Sequence, residues 1–204
     1  MVEVREIRSD ERGKIGEIVA IHLEAFPGFF LTFMGNGFLR QLYSSYCDHA
    51  DSGLLVAEKD GKLLGFLAFS TNYSEFFKYM IRTRLVAFAW YSVGALIRRP
   101  SAFARIAAAF LKPSEVKREE KYVELSSIGV SPAFNSRGIG SRLIDELKNR
   151  TDFNLYDYIT LETDSIDNDA AIHFYEKNGF VKHREFYSNK NRKMIEFRFY
   201  NANS

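Results

Sequence analysis

Val2, Val4 and Ile7 alternate with Glu3 and Arg5, a period of two that predicts a short strand. The pattern then changes. Ile15, Ile18, Val19 and Leu23 recur at helical spacing after Ser9-Asp10-Glu11, and Pro27-Gly28 ends that helix near Phe26. A polar-poor segment, FFLTFMGNGF, leads to a second helix near Phe38 to Cys47. Two apolar runs follow, Leu54 to Ala57 and Leu63 to Phe69, separated by Lys59-Asp60-Gly61-Lys62. Asp-Gly between apolar runs is a strong hairpin signal. The first seventy residues therefore read strand, helix, helix, strand, strand.

From about 73 to 114 the pattern breaks. Leu85 to Ile97 is apolar on nearly all sides, with Arg82 and Arg84 before it and Arg98 and Arg99 after. Pro100-Ser101 separates it from a second helical segment, with Ser101 as a fair N-cap. The run falls short of the roughly 18 apolar residues that mark a membrane span. Three uses stay open: a buried or dimer-covered helical hairpin, a lid over an acceptor pocket, or a basic element resting on a membrane surface.

Beyond it, Val123 to Val130 reads as a strand ending in Ser131-Pro132. A polar loop leads to a helix with Ile139, Leu143, Ile144 and Leu147 on one face, ending near Arg150. Tyr158 to Thr163 is a further strand, Ala170 to Lys177 a helix capped by Asp167-Asn168-Asp169, and Asn178-Gly179 its stop. The last strands are Phe180 to Phe186 and Lys193 to Tyr200. In the latter, Met194, Glu196 and Arg198 alternate with Ile195, Phe197 and Phe199, which predicts one wet face.

Composition narrows the class. The chain has 204 residues, enough for one domain with an insertion and a sizeable core. Its 28 basic and 26 acidic residues give a net charge of +2, so nothing points to nucleic acid. A single cysteine, Cys47, excludes an internal disulfide framework and reads as a small apolar residue. The N-terminus lacks an apolar signal core, and the expected setting is the cytoplasm. His22, His49, His173 and His183 have no metal-ligand spacing, and no metal site is expected.

Strand, glycine turn and helix N-terminus, here Val130 to Ser141, is a place to hold a phosphate. The first helical N–H groups lack intrahelical partners, and the helix dipole adds positive potential. Gly138 and Gly140 permit close backbone approach, and Arg137 adds a forked cation. The turn is not a P-loop, since no Gly-Lys-Ser/Thr follows, nor a dinucleotide fingerprint, since Leu143 stands where a third glycine is needed.

A second motif gives the glycine turn its meaning: Asn168-x-x-Ala171-x-x-Phe174-Tyr175-Glu176-Lys177-Asn178-Gly179-Phe180. The pair, spanning Tyr122 to Phe180, resembles the GNAT superfamily of acetyl-CoA-dependent N-acetyltransferases. The preceding element order is similar too, so the likeness covers most of the chain except 73–114. It implies one α/β domain over residues 1–204, with a mixed, mostly antiparallel sheet flanked by helices, into which the helical hairpin read at about 73–114 is inserted. It implies acetyl-CoA as acetyl donor, cradled by Asn135, Ser136, Arg137, Gly138, Ile139, Gly140 and Ser141. Asn135 departs from the family's usual Gln or Arg, so its own side-chain contact is the one in question. The backbone of Ile128, Gly129 and Val130 would pair with the pantetheine arm as an added strand would. Gly129 inside a strand suggests a bulge or a close approach. Asn168 would contact coenzyme A, cap its helix, or do both.

N-acetylation needs a neutral amine, a polarised thioester carbonyl and a proton for the leaving sulfur. Glu124, eleven residues before Asn135, matches the place of a glutamate base in some members; the alternative is a solvated carboxylate. Tyr175 holds the family's tyrosine position and would be the acid; the alternative is simple packing. A backbone N–H near Ile128 or Gly129 would stabilise the developing oxyanion. The expected acceptor is a small primary amine such as an amino sugar. Rivals are a protein or peptide acceptor, and a non-catalytic acyl-CoA sensor. A homodimer is one further use of the apolar insertion.

Overall fold

In a computed structural model, which describes residues 1–7, 9–98, 120–188 and 192–201, seven strands form one sheet. They are β1 (Glu3–Glu6), β2 (Ser52–Lys59), β3 (Lys62–Ser70), β4 (Tyr122–Val130), β5 (Tyr158–Asp164), β6 (Val181–Tyr187) and β7 (Lys193–Phe199). Their spatial order is β1-β2-β3-β4-β5-β7-β6. Only β4 and β5 run parallel; every other neighbouring pair is antiparallel. The described helices are α1 (Ile15–Ala25), α2 (Phe30–Met34), α3 (Asn36–Asp48), α4 (Tyr73–Arg98), α5 (Ile139–Arg150) and α6 (Asp169–Lys177).

The sequence chemistry accounts for most boundaries. Asp60 and Gly61 both take positive φ, 51° and 79°, the backbone a two-residue hairpin turn needs. α1 follows a 3₁₀ turn over Ser9–Lys14 and stops before Gly28, whose φ is 82°. α6 stops at Lys177, two residues before Gly179, which is again left-handed. Two helices differ from expectation. The short α2 lies within the polar-poor segment read as a connection. α4 begins at Tyr73, twelve residues before the expected apolar run at Leu85, because Phe76 and Met80 are already buried, Phe76 against the Tyr46 ring of α3. The second insertion helix expected from Ser101 lies outside the described residues.

Each face of the sheet carries its own core. On one, Ile18, Val19, Leu39, Tyr43, Phe66 and Phe76 pack α1, α3 and α4 against β2 and β3. On the other, Leu143, Ile144 and Leu147 of α5 pack with Leu67, Ile159 and Phe197. The outer half of α4 leaves Val86 and Trp90 exposed, at 84% and 74%. Arg84 does not face solvent freely. It donates to Gln41 Oε1 at 2.5 Å and pairs with Asp48 of α3.

β7 is corrected. Its expected wet face is buried: Glu196 is 0% exposed and Arg198 7%. Glu196 accepts from Arg184 at 2.7 Å and from Arg198 at 2.8 Å, and Arg198 lies over the Tyr158 ring at 4.0 Å. Mutual neutralisation lets these charges occupy the interior.

Candidate active site

The site begins where β4 and β5 part. Their parallel pairing ends at Glu124↔Thr160, whereas β4 stays paired with β3 as far as Val130↔Gly65. From Leu125 onward the β5-facing edge of β4 has no strand partner among the described residues. The break coincides with a β-bulge. Ala68 faces Ser127 and Phe69 faces Leu125, so Ser126 is the extra residue. The expected bulge at Gly129 is thus three residues earlier. Gly129 is glycine for another reason: a Cβ there would meet the Phe66 ring at 2.8 Å and the Phe26 ring at 3.2 Å.

A cleft of about 810 Å³ runs along this edge. Ile128, Gly129 and Val130 form one wall. Asn135, Ser136, Gly138, Ile139, Gly140 and Ser141 form its end. Asn168 and Tyr175 close the opposite side. Ser136 and Gly138 both have positive φ, 60° and 74°, which turns the loop tightly into α5. A Cβ on Gly138 would meet nothing within 4 Å, so this glycine serves backbone conformation and leaves open space above it. Gly140 has a different job, because a Cβ there would meet Phe174 of α6 at 2.9 Å. The first intrahelical bond is Arg142 N–H to the Gly138 carbonyl at 3.1 Å. The N–H groups of Ile139, Gly140 and Ser141 precede it, as an anion site requires.

Two candidates sit apart from this cleft. Arg137 is not among the residues that line it; its guanidinium lies over the Phe134 ring at 5.4 Å, beside the loop. Glu124 is half-buried on the other side of the sheet, where its charge acts on Tyr73 and Tyr46. Asn168 stands at the start of α6, but its side chain does not cap it. The amide donates to Thr163 Oγ1 at 2.7 Å and to the Asp164 carbonyl at 2.9 Å, tying the loop to the end of β5. Tyr175 packs among Phe174, Phe180 and Phe197, and burial pushes its phenol up to about 12. It therefore keeps its proton near neutrality and can serve as a proton donor.

Sequence reasoning missed a second cavity of about 250 Å³ on the α4 side. Phe30 and Met34 of α2, Leu42 of α3, and Phe77, Met80 and Phe88 of α4 wall it. Ser126 and Ser127 of the bulge form its floor, with the Tyr43 hydroxyl beside them, 3.4 Å from Ser127 Oγ. That hydroxyl also shares a 2.6 Å hydrogen bond with His22 Nδ1. His22 is 3% exposed, and burial lowers its pKa to about 4, so the ring is neutral. The signals were available: His22 falls on the apolar stripe of α1, Tyr43 on that of α3, and Ser126-Ser127 interrupts the alternation of β4. Cys47 is half-buried with its thiol pushed up to about 11, mainly by burial, and is no nucleophile.

Among the described residues no group of three or more His, Cys, Asp or Glu could hold a metal, and no helix is long and apolar enough to cross a membrane. No curated protein sequence matches the chain at a significant level. Solved structures with the same fold include Arabidopsis thaliana NAA60 in complex with acetyl-CoA, 17% identical, covering 100% of both chains with a TM-score of 0.59. A Drosophila melanogaster polyamine N-acetyltransferase is 12% identical over 98% of this chain and 100% of its own, with a TM-score of 0.59. An N-acetyltransferase from Staphylococcus aureus is 15% identical over 98% of each, with a TM-score of 0.60. A sequence profile of the acetyltransferase (GNAT) family matches residues 17–180. The chain belongs to the GNAT family and is an acetyl-CoA-dependent acetyltransferase that acts on amines.

Proposed function

We propose that the protein transfers an acetyl group from acetyl-CoA directly to the primary amine of a small molecule. The observation that carries this is the cleft between the unpaired β4 edge and the N-terminus of α5, with Tyr175 in its wall. The residues present fit the donor. The amides of Gly138 to Ser141 suit its phosphates, and the free edge of β4 beyond Leu125 suits an extended amide-bearing arm. Asn168 holds the loop that faces this arm. Bound acetyl-CoA supplies an activated thioester: the amine nitrogen forms a bond to the carbonyl carbon, the carbon–sulfur bond breaks, nitrogen loses a proton and sulfur gains one.

The chain's own groups serve the two proton movements from opposite sides of the sheet. Tyr175, on the α5 side, donates to sulfur. Glu124, on the α4 side, takes the proton of the incoming ammonium, directly or through water. The arrangement admits the amine from the α4 side and the donor from the other. A cavity of about 250 Å³ on the amine's side favours a small acceptor over a protein chain. Sequence likeness alone prefers an amino sugar, a choice that the apolar lining of this cavity weighs against.

Thiol release tests the assignment. Tyr175→Phe should lower kcat by about a hundredfold with acetyl-CoA affinity unchanged, and Glu124→Gln should do the same. Unchanged kcat in either variant removes that residue from the mechanism.

A further inference from the structure

The cavity on the α4 side has a chemistry that the transfer reading leaves unused. Its walls are aromatic and aliphatic, and among the described residues lining it none is charged. Its polar groups gather at one end. Ser126 and Ser127 stand at the bulge, and the Tyr43 hydroxyl lies beside them, held by neutral His22. Ser126 Oγ is buried beside the Tyr46 hydroxyl and completes no hydrogen bond of good geometry. A buried hydroxyl left so is costly unless a ligand completes it. The polar end also adjoins the reacting place. Ser127 is followed directly by Ile128 and Gly129 of the cleft wall, all of them beyond Glu124, where β4 parts from β5.

We propose that this cavity is the acceptor site, and that the acceptor is a monoamine carrying an apolar, ring-sized body. The amine nitrogen meets Ser126 and Ser127, and the body lies between α2, α3 and α4. This rests on the transfer reading above. Size agrees: a cavity of roughly 150 Å³ takes one benzene, so about 250 Å³ takes a ring with a short chain. The chemistry also excludes rivals. The second ammonium of a diamine would lie among Phe77, Met80 and Phe88 without a counter-ion. A sugar's hydroxyls would outnumber the partners available at the far end. Glu124, whose charge reaches Tyr73 and Tyr46 of the lining, stands at the amine's end of the cavity.

The test compares 2-phenylethylamine, glucosamine and putrescine by thiol release with acetyl-CoA, each rate normalised to the free-base fraction. Calorimetric binding of 2-phenylethylamine in the presence of CoA gives a readout independent of turnover. We expect kcat/KM for 2-phenylethylamine to exceed the other two by about tenfold or more, the scale of apolar pocket discrimination. Phe77→Asn and Leu42→Gln, at half-buried positions that tolerate polarity, should each remove most of that preference and weaken amine binding, with acetyl-CoA affinity unchanged. Equal or faster turnover of glucosamine or putrescine overturns the inference and leaves the transfer reading intact. Hexanoyl-CoA outperforming acetyl-CoA, with that advantage lost in Phe77→Asn, assigns the cavity to the donor's chain and also overturns it. Amine binding that depends on Phe77, without thiol release from any amine, supports the cavity and overturns the transfer reading. Absence of both binding and preference overturns the cavity.

Discussion

At Gly138, φ is +74° and the space above is open. Asparagine visits this region readily, whereas a carboxylate would sit where the donor's phosphates belong. Gly138→Asn should hold acetyl-CoA affinity within about tenfold, and Gly138→Glu should lose more than about a hundredfold in calorimetry. His22 makes a second prediction. Its pKa falls from 6.5 to about 4 because Phe26, Tyr43 and Phe66 exclude water around it. Between those values the unfolded chain binds a proton that the folded one does not. Stability should thus fall as pH drops from 6.5 to about 4, by about 3 kcal/mol from this group, and should be indifferent to His22 above 6.5. Thermal melts of the protein and of His22→Gln across that range should diverge; parallel curves would contradict it.

Among the elements, β7 shows why a strand's pattern does not reveal its burial. Glu196 and Arg198 look like a solvated face, yet Glu196 pairs with Arg184 of β6 and with Arg198 two residues along β7, and Arg198 lies over the Tyr158 ring of β5, so both charges are satisfied inside. Glu196→Ala should cost about 3 kcal/mol in urea unfolding, since buried Arg198 would keep only its longer, 3.3 Å pairing with the exposed Glu120. The same distinction separates what was legible from what was not. Local chemistry wrote the Asp60-Gly61 hairpin, the amphipathic α5, the glycine loop and the stop at Gly179 into the sequence. The placement of β7 between β5 and β6, the bulge at Ser126 and the early start of α4 depend on partners distant in the chain. Gly129 illustrates the difference: glycine in a strand announced a close approach, but only the fold shows that Phe66 and Phe26 make it.

Over the whole molecule, the sheet separates two tasks. One side and the free β4 edge offer backbone amides, glycines and a protonated phenol; the other offers an apolar chamber with hydroxyls at its base. The cleft residues were legible because their motif is local, running from Tyr122 to Phe180. The chamber was not, because α2, α3 and α4 supply it from segments that carry no shared motif. The most direct test is amide hydrogen exchange with and without acetyl-CoA. Binding should slow exchange in two places: the amides of residues 125–130 that lack a partner in β3, and those of Gly138 to Ser141. Protection confined to other segments, or none at saturating acetyl-CoA, would contradict the site described for this chain.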